Sequence, residues 1–196
     1  MDRIALKEKS KEQIKGKIAI LFLCTLIYTF ISTLFSFIPL AGPIVGAVLI
    51  LPVLAYGLYV VFLDVTIGNE IKIETLFSGF SNFKNVWCMQ FLMYLYVTLG
   101  SLLLIVPGIV MSYAYSFAPY ILAENPQLSG REALRLSKEM TDGHKWDLFI
   151  LQLSFLGWEL LGIVTFGIAY IYVVPYINVA YANAYNRIKE EFNPEF

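Results

Sequence analysis

The chain has 196 residues, of which 58% are hydrophobic and only 15% are charged. Its mean hydropathy of +0.68 excludes an ordinary soluble domain, in which apolar residues make up roughly 45–50% of the sequence. The net charge of −1 argues against nucleic acid as a partner, because nucleic-acid-binding domains carry a basic surface. The composition therefore predicts a single membrane domain over residues 1–196.

Residues 1–17 form a polar segment ahead of the first apolar stretch. They hold six of the fourteen Lys and Arg residues, mixed with acidic ones in a helix-favouring composition. The apolar stretch that follows is long enough to span a bilayer and contains no small-residue cleavage site, unlike a signal peptide. We therefore expect residues 1–17 to be a solvated helical lead-in on the cytoplasmic membrane surface.

The segment from Ile18 to Leu63 contains no Asp, Glu, Lys, Arg or His. As one helix rising about 1.5 Å per residue, it would be roughly twice as long as a hydrocarbon layer of about 30 Å is thick. It must therefore turn back, and Pro39–Pro43, with glycine between two prolines, supplies the turn. Residues 18–67 are predicted as the first hairpin, with helices over 18–38 and 44–67 and a kink at Pro52.

Residues 68–85 form a polar, interfacial connection. Phe77, Phe80 and Phe83 recur every third residue, so a short helix here would place a phenylalanine stripe in the membrane interface. The second hairpin follows over residues 86–123, with helices over 86–105 and 109–123 and a turn at Pro107 and Gly108.

Residues 124–146 are predicted as a cytoplasmic amphipathic helix. Ser129 followed by Glu132 is a capping-box pattern, which starts a helix at about Gly130. At about 100° per residue, one face carries the basic residues and the other carries apolar ones. The basic face is expected to meet water or anionic lipid headgroups, and its candidate headgroup-facing residues are Arg131, Arg135, Lys138 and Lys145.

The third hairpin is predicted over residues 147–186, with its turn at Thr165–Gly167, and residues 187–196 form a charged tail. The chain is thus expected to be all-α and polytopic, with six transmembrane helices in three hairpins plus cytoplasmic amphipathic helices. All fourteen Lys and Arg residues lie outside the three tight turns. The positive-inside rule then places both termini in the cytoplasm and the protein in the cell membrane as a multi-pass protein.

The C-terminal third carries a recognisable succession of motifs. Ser137, Met140, Gly143 and Lys145 match S-x-x-M-x-x-G-x-K, and an L-S-F-x-G-W segment ends at Trp158. A T-x-G motif, a Pro-Tyr pair at Pro175 and a late tyrosine follow. From Arg131 to Ile188 the chain resembles the bacterial integral membrane proteins grouped as domain of unknown function 975. The resemblance implies a polytopic bacterial membrane protein with no assigned activity.

One charged residue lies well inside a predicted membrane segment. Glu159 is thirteen residues beyond Trp146, and a carboxylate at such depth must be protonated, hydrogen-bonded or in a wet cavity. It could form a proton or cation site, or a neutral carboxyl with a structural role. Asn178, Asn183 and Gln90 are the other candidates for an intramembrane polar site, with structural hydrogen bonding between helices as the alternative.

The sequence offers no catalytic nucleophile with a base, no phosphate loop and no ligand cluster for a metal, so it predicts no enzyme and no cofactor. Cys24 and Cys88 lie in apolar segments and are expected to be free. The preferred interpretation is a non-enzymatic accessory or scaffold protein in membrane transport or envelope processes. Its partners would be the lipid bilayer and either other membrane proteins or further copies of itself. The alternative is a small transporter or channel for a peptide, lipid or cation, with Glu159 in its path.

Overall fold

The computed structural model describes residues 2–39 and 44–192, and all regular structure within them is helical. Besides α-helices, these residues contain a π-helical turn (Gly46–Ile50) and a 3₁₀ helix (Ile73–Phe80). The α-helices in chain order are α1 (Arg3–Ile14), α2 (Ile18–Ser36), α3 (Leu51–Ile67), α4 (Phe83–Leu103), α5 (Ile105–Tyr115), α6 (Ala118–Glu124), α7 (Gly130–Met140), α8 (Lys145–Leu153), α9 (Leu156–Val164) and α10 (Tyr170–Phe192).

The first hairpin consists of α2 and α3. Its predicted turn lies, apart from Pro39, outside the described residues. Pro52 falls in the first turn of α3, directly after the π-helical turn that runs into this helix. The backbone irregularity predicted there is instead the π-helical turn just before it. Gly68, at φ 87°, ends α3 in the left-handed conformation that glycine adopts without strain.

The connection at 68–85 contains the predicted short helix. It is a 3₁₀ helix with three residues per turn, so side chains three apart stand directly above one another. The rings of Phe77 and Phe80, and of Phe80 and Phe83, stack at 6.4 Å between centroids. This helix folds back along α3 and packs closely against it. The closeness is shown at Gly57, where an added methyl group would lie 1.9 Å from the carbonyl oxygen of Leu76.

The second hairpin turns earlier than predicted. Leu104 is a single extended residue, at φ −159° and ψ 147°, between α4 and α5. The prediction of a turn at Pro107 and Gly108 is therefore wrong: both lie in the first turn of α5, which accepts proline. A Cβ on Gly108 would lie 2.0 Å from Ser101 Oγ, so this glycine allows the two helices to approach closely.

The predicted amphipathic helix over 124–146 is shorter than expected. It starts at Gly130, with both bonds of the Ser129–Glu132 capping box, and ends at Met140. Gly143, at φ 80°, separates it from α8, which begins at Lys145. Lys145 therefore does not share a helix face with Arg131. The third hairpin turns as predicted, with Phe166 at φ 51° and Gly167 at φ 92°.

The last helix, α10, lies at the centre of the fold. The rings of Tyr120 and Phe117 on the second hairpin pack against Tyr185 at 5.2 and 5.5 Å. Phe155 packs edge-on against Tyr176 at 5.1 Å. All five of these side chains are at most 1% exposed, so the aromatic core is built around α10.

Five helical stretches among the described residues are long and apolar enough to cross a membrane. They are Ile18–Ser36, Gly46–Ile67, Phe83–Leu103, Ile105–Glu124 and Lys145–Val164. The sixth predicted crossing helix, α10, is not among them, because its asparagines, tyrosines and charged C-terminal turns lower its hydropathy. These polar groups are accommodated because neighbouring helices surround α10.

Candidate functional site

An interior cleft opens between the first and second hairpins and α10. Its main cavity has a volume of about 340 Å³. A second cavity of about 230 Å³ shares Tyr59, Tyr94 and Asn178 with it and extends towards α2. No Asp, Glu, Lys or Arg lies among the described residues that line either cavity. The polar side chains of the main cavity include Tyr59, Tyr94, Tyr120, Gln152, Asn178 and Tyr181.

Glu159 lies behind this cleft rather than in its lining. Gln152 donates a hydrogen bond from Nε2 to Glu159 Oε1 at 2.9 Å. Tyr181 donates its hydroxyl proton to Gln152 Oε1 at 2.8 Å. The Glu159 carboxyl group is thus linked to the cleft through two hydrogen bonds that join α9, α8 and α10.

Tyr120 provides an unpaired polar group beside the cleft. Its hydroxyl has no hydrogen-bond partner among the described residues, although the residue is only 1% exposed. A buried hydroxyl is normally hydrogen-bonded. The cleft can therefore accept a water molecule or a polar ligand group at this position.

The four predicted intramembrane polar residues do not form one site. Asn178 lines the cleft and donates to the carbonyl oxygen of Val174 on its own helix at 2.9 Å. Gln90 instead joins α4 to α3, donating to the carbonyl oxygen of Pro52 at 3.1 Å. Asn183 joins α10 to α1. Only Asn178 and, indirectly, Glu159 belong to the cleft, and the other two serve as helix joints.

Helix α1 is docked against the core. Asn183 Nδ2 donates to Ser10 Oγ at 3.0 Å and to Gln13 Oε1 at 2.5 Å. Leu6, Ser10 and Ile14, spaced four residues apart, form its buried face. This corrects the expectation of a solvated lead-in. The four-residue spacing of these three side chains could have predicted a buried face of α1. The polar Ser10 among them made that pattern hard to recognise in the sequence.

Two lysines of α1 contact the third hairpin: Lys7, and Lys11, whose Nζ lies 5.7 Å from the centre of the Trp158 ring. Lys7 Nζ donates to the carbonyl oxygen of Ser154 at 3.0 Å and lies 4.5 Å from the centre of the Phe155 ring. Burial lowers the pKa of the Lys7 ammonium below its usual value, and the charge of Lys11 adds to this. The Lys7 ammonium group thus caps α8 at its break with α9.

A carboxylate at the end of α6 ties the second hairpin to the end of α10. Lys189 Nζ lies 2.6 Å from Glu124 Oε2, and Tyr185 donates its hydroxyl proton to the same oxygen. A cavity of about 330 Å³ beside this cluster is also lined by Leu136 and Met140 of α7. These residues form a polar joint at one end of the bundle.

Three of the four predicted headgroup-facing residues lie on one exposed face of α7. Arg131, Arg135 and Lys138 are exposed. Lys145 is half-buried and bonds Asp142 at 2.7 Å. This hydrogen bond, together with the positive charge of Lys145, holds the pKa of the Asp142 carboxyl below its usual value. Lys145 therefore closes the corner between α7 and α8 and does not extend the basic face.

Comparison with known proteins connects these features to a family. Residues 101–191 match the model of a family described as "Protein of unknown function (DUF975)". The matched region contains α5–α9 and most of α10, and thus Glu124, Gln152, Glu159 and Asn178. No curated protein and no solved structure is significantly similar to the chain. The sequence resemblance is thereby confirmed, and it extends upstream of Arg131 to residue 101.

Proposed function

We propose that this protein is a non-enzymatic integral membrane protein that acts as an accessory or scaffold in membrane transport or envelope processes. The observation that carries this proposal is the outer surface of α2. This helix has a mean hydropathy of 2.3, yet only 11% of its membrane-length window is buried within the protein. Lipid and a second membrane protein are the two environments that match so apolar a surface.

The location of the charged groups supports an orientation with both termini in the cytoplasm. The polar joint at Glu124 and Lys189 and the exposed basic face of α7 lie at the end of the bundle where α10 finishes. The six crossings predicted from the sequence are an even number and would place both termini on one side. The positive-inside rule makes that side cytoplasmic.

Site-specific photo-crosslinking tests the scaffold function. A photoreactive residue replaces Phe30, which is 62% exposed on α2, and in a matched control replaces Leu160, which is 54% exposed on α9. In native membranes we expect a discrete protein adduct at position 30 and lipid adducts alone at position 160. Lipid adducts alone at both positions, with a monomeric protein after mild detergent extraction, would overturn the proposal.

The interior cleft favours a second candidate function, a small transporter or channel for a peptide, lipid or cation. Its volume of about 340 Å³ and the unpaired Tyr120 hydroxyl support it. Glu159 would act through Gln152, since it does not line the cleft. Flux in reconstituted vesicles should fall in both Glu159→Gln and Tyr120→Phe. Unchanged flux in Glu159→Gln would remove Glu159 from the path, and unchanged flux in both would oppose transport through this cleft.

A further inference from the structure

The serine hydroxyl groups of the interior cleft are placed to accept hydrogen bonds. Ser112, on α5, and Ser116, just after it, line the main cavity. Their hydroxyl groups donate to the carbonyl oxygens of Ile109 and Tyr113 at 2.7 and 2.8 Å. A hydroxyl group that has donated its proton can still accept through its oxygen. Both serines therefore offer acceptors to a molecule in the cleft.

The polar side chains of α10 that line the cleft have the same polarity. The hydroxyl proton of Tyr181 is donated to Gln152 Oε1, so its oxygen remains as an acceptor. Asn178 Nδ2 donates to the carbonyl oxygen of Val174, which leaves Asn178 Oδ1 as an acceptor and one N–H in reserve. The site thus suits a ligand group that donates several hydrogen bonds.

Aromatic rings surround these acceptors. Tyr59, Tyr94, Tyr120 and Tyr181 line the main cavity, and Tyr28 is added in the second cavity. The face of an aromatic ring attracts a cation through its quadrupole. Within the described part of the chain, neither cavity is lined by a Lys or Arg that would repel a positive charge.

A carboxyl group behind the cleft adds to this preference. Glu159 Oε1 accepts from Gln152 Nε2 at 2.9 Å, and Gln152 in turn accepts from Tyr181. A carboxylate at the end of such a chain polarises each bond towards itself, which makes the Tyr181 oxygen a stronger acceptor. The carboxylate also attracts a cation directly, because charges interact strongly where the dielectric constant is low. The cleft is therefore suited to a positive charge.

The size and lining of the two cavities limit the ligand further. The main cavity, about 340 Å³, is at the lower end of the range for small-molecule pockets, roughly 300–1,000 Å³. It suits a small molecule better than a peptide or a phospholipid. The second cavity, about 230 Å³, would accommodate an alkyl group. Its apolar lining consists of Ala55, Leu58, Phe62 and Val174.

We propose that the cleft binds an organic ammonium ion, namely a protonated alkylamine. Its ammonium group lies among the oxygen acceptors and tyrosine rings of the main cavity, and its alkyl chain enters the second cavity. The N–H groups of a primary ammonium match the acceptors, because such a group has three donors. This inference deepens the second candidate function by naming its substrate class, and it rests on that function for the cleft as the binding site.

Equilibrium binding of radiolabelled hexylammonium tests the proposal. The full-length protein is held in phosphatidylcholine nanodiscs at neutral pH, and binding to empty nanodiscs is subtracted. Hexylammonium, hexanol and hexanoate serve as unlabelled competitors, with one alkyl chain and a positive, neutral or negative head. We expect saturable binding, at least about tenfold weaker competition by hexanol and none by hexanoate. Hexanol of equal potency, or competition by hexanoate, would overturn the proposal.

The second cavity predicts a dependence on chain length. From methylammonium to hexylammonium, the affinity should rise by up to about fourfold for each methylene group that enters the apolar cavity. An affinity that does not change with chain length would overturn the placement of the alkyl group.

Two variants test the hydrogen-bonded link to Glu159. Glu159→Gln keeps an oxygen for Gln152 but removes the negative charge, and Tyr181→Phe breaks the link. Each should weaken hexylammonium binding about tenfold, and Glu159→Gln should leave hexanol binding unchanged. Tyr172→Phe is the matched control, since Tyr172 is on the same helix but lines neither cavity. Retained monodispersity verifies folding.

Unchanged hexylammonium affinity in either variant would overturn the proposal, and so would an equal loss of hexanol binding in Glu159→Gln. Transport fails separately. Unchanged flux in the vesicle assay would leave a binding site without transport, whereas absent binding would remove the ammonium ligand alone. The scaffold function is tested independently by the crosslinking at position 30.

Discussion

The indole nitrogen of Trp87 lies 2.7 Å from the carbonyl oxygen of Val48 and donates a hydrogen bond to it. This bond joins the start of α4 to the π-helical turn that leads into α3. From the sequence, these two points were expected at opposite membrane faces. Together with the bonds from Gln13 and Asn186 at Thr66, the Trp87 bond fixes both ends of α3 against neighbouring helices.

Close packing between α3 and the 3₁₀ helix predicts a strong effect of Gly57→Ala. The added methyl group would lie 1.9 Å from the backbone oxygen of Leu76, so the backbone must shift. We expect a loss of about 1–3 kcal/mol in unfolding free energy, typical of overpacking. Denaturation in detergent micelles measures it. Gly157→Ala is the control: its Cβ meets nothing within 4 Å, and it should be neutral or stabilising by up to about 1 kcal/mol.

Docking of α1 depends on Asn183. In Asn183→Ala, Ser10 and Gln13 lose the amide that bonds both of them. Loss of these buried bonds should weaken docking by about 1–3 kcal/mol. Limited trypsin digestion at Lys9 and Lys11 should then become faster. Asn178→Ala, which removes only a bond within α10, should leave the cleavage rate unchanged, and equal rates in all three proteins would contradict docking through Asn183.

The Glu124–Lys189 pair should be worth more than the surface pairs. Its carboxylate side chain is only 21% exposed and also accepts the Tyr185 hydroxyl. Lys189→Met should therefore cost about 1–2 kcal/mol, between the values for exposed and buried charged bonds. Arg187→Met, which removes exposed pairs with Glu190 and Glu191, should change the melting temperature little. A double-mutant cycle with Glu124→Gln isolates the coupling.

The start of α7 should depend on pH. Hydrogen bonds from Ser129 hold the pKa of the Glu132 carboxyl below its usual value, and the charge of Arg135 adds to this. A carboxyl whose pKa is lower in the folded state stabilises above its unfolded pKa of about 4.3. That stabilisation is lost as pH falls through the folded pKa. The melting temperature of Glu132→Gln should change less than that of the unaltered protein between neutral pH and pH ~3. An identical pH profile would refute the role of the capping carboxylate.

Local patterns in the sequence predicted the parts of the structure that local physics decides. The Ser129–Glu132 capping box starts α7 where expected, and Gly167 turns the third hairpin. The three-residue spacing of Phe77, Phe80 and Phe83 became a stacked stripe because a 3₁₀ helix repeats every three residues. Each of these features depends on residues within one or two turns of one another.

Features set by distant contacts could not be predicted in this way. Asn183 and Ser10 are 173 residues apart, and nothing in the mixed-charge composition of α1 indicated their pairing. Hydropathy identifies α3 as apolar but does not show which helices its ends contact, so it could not predict the bond between Trp87 and Val48. Gln90 was likewise predicted to belong to an intramembrane polar site. It joins α4 to α3 instead, because its partner Pro52 is 38 residues away in the chain.

Cysteine crosslinking tests the position of the first hairpin most directly. In a background with Cys24→Ala and Cys88→Ala, Val48→Cys is combined either with Trp87→Cys, near the start of α4, or with Leu102→Cys, near its end. A short bifunctional maleimide applied in native membranes should link positions 48 and 87 and leave positions 48 and 102 unlinked. Linkage of 48 to 102 without linkage to 87 would place the start of this helical stretch beside the end of α4 and would contradict the account.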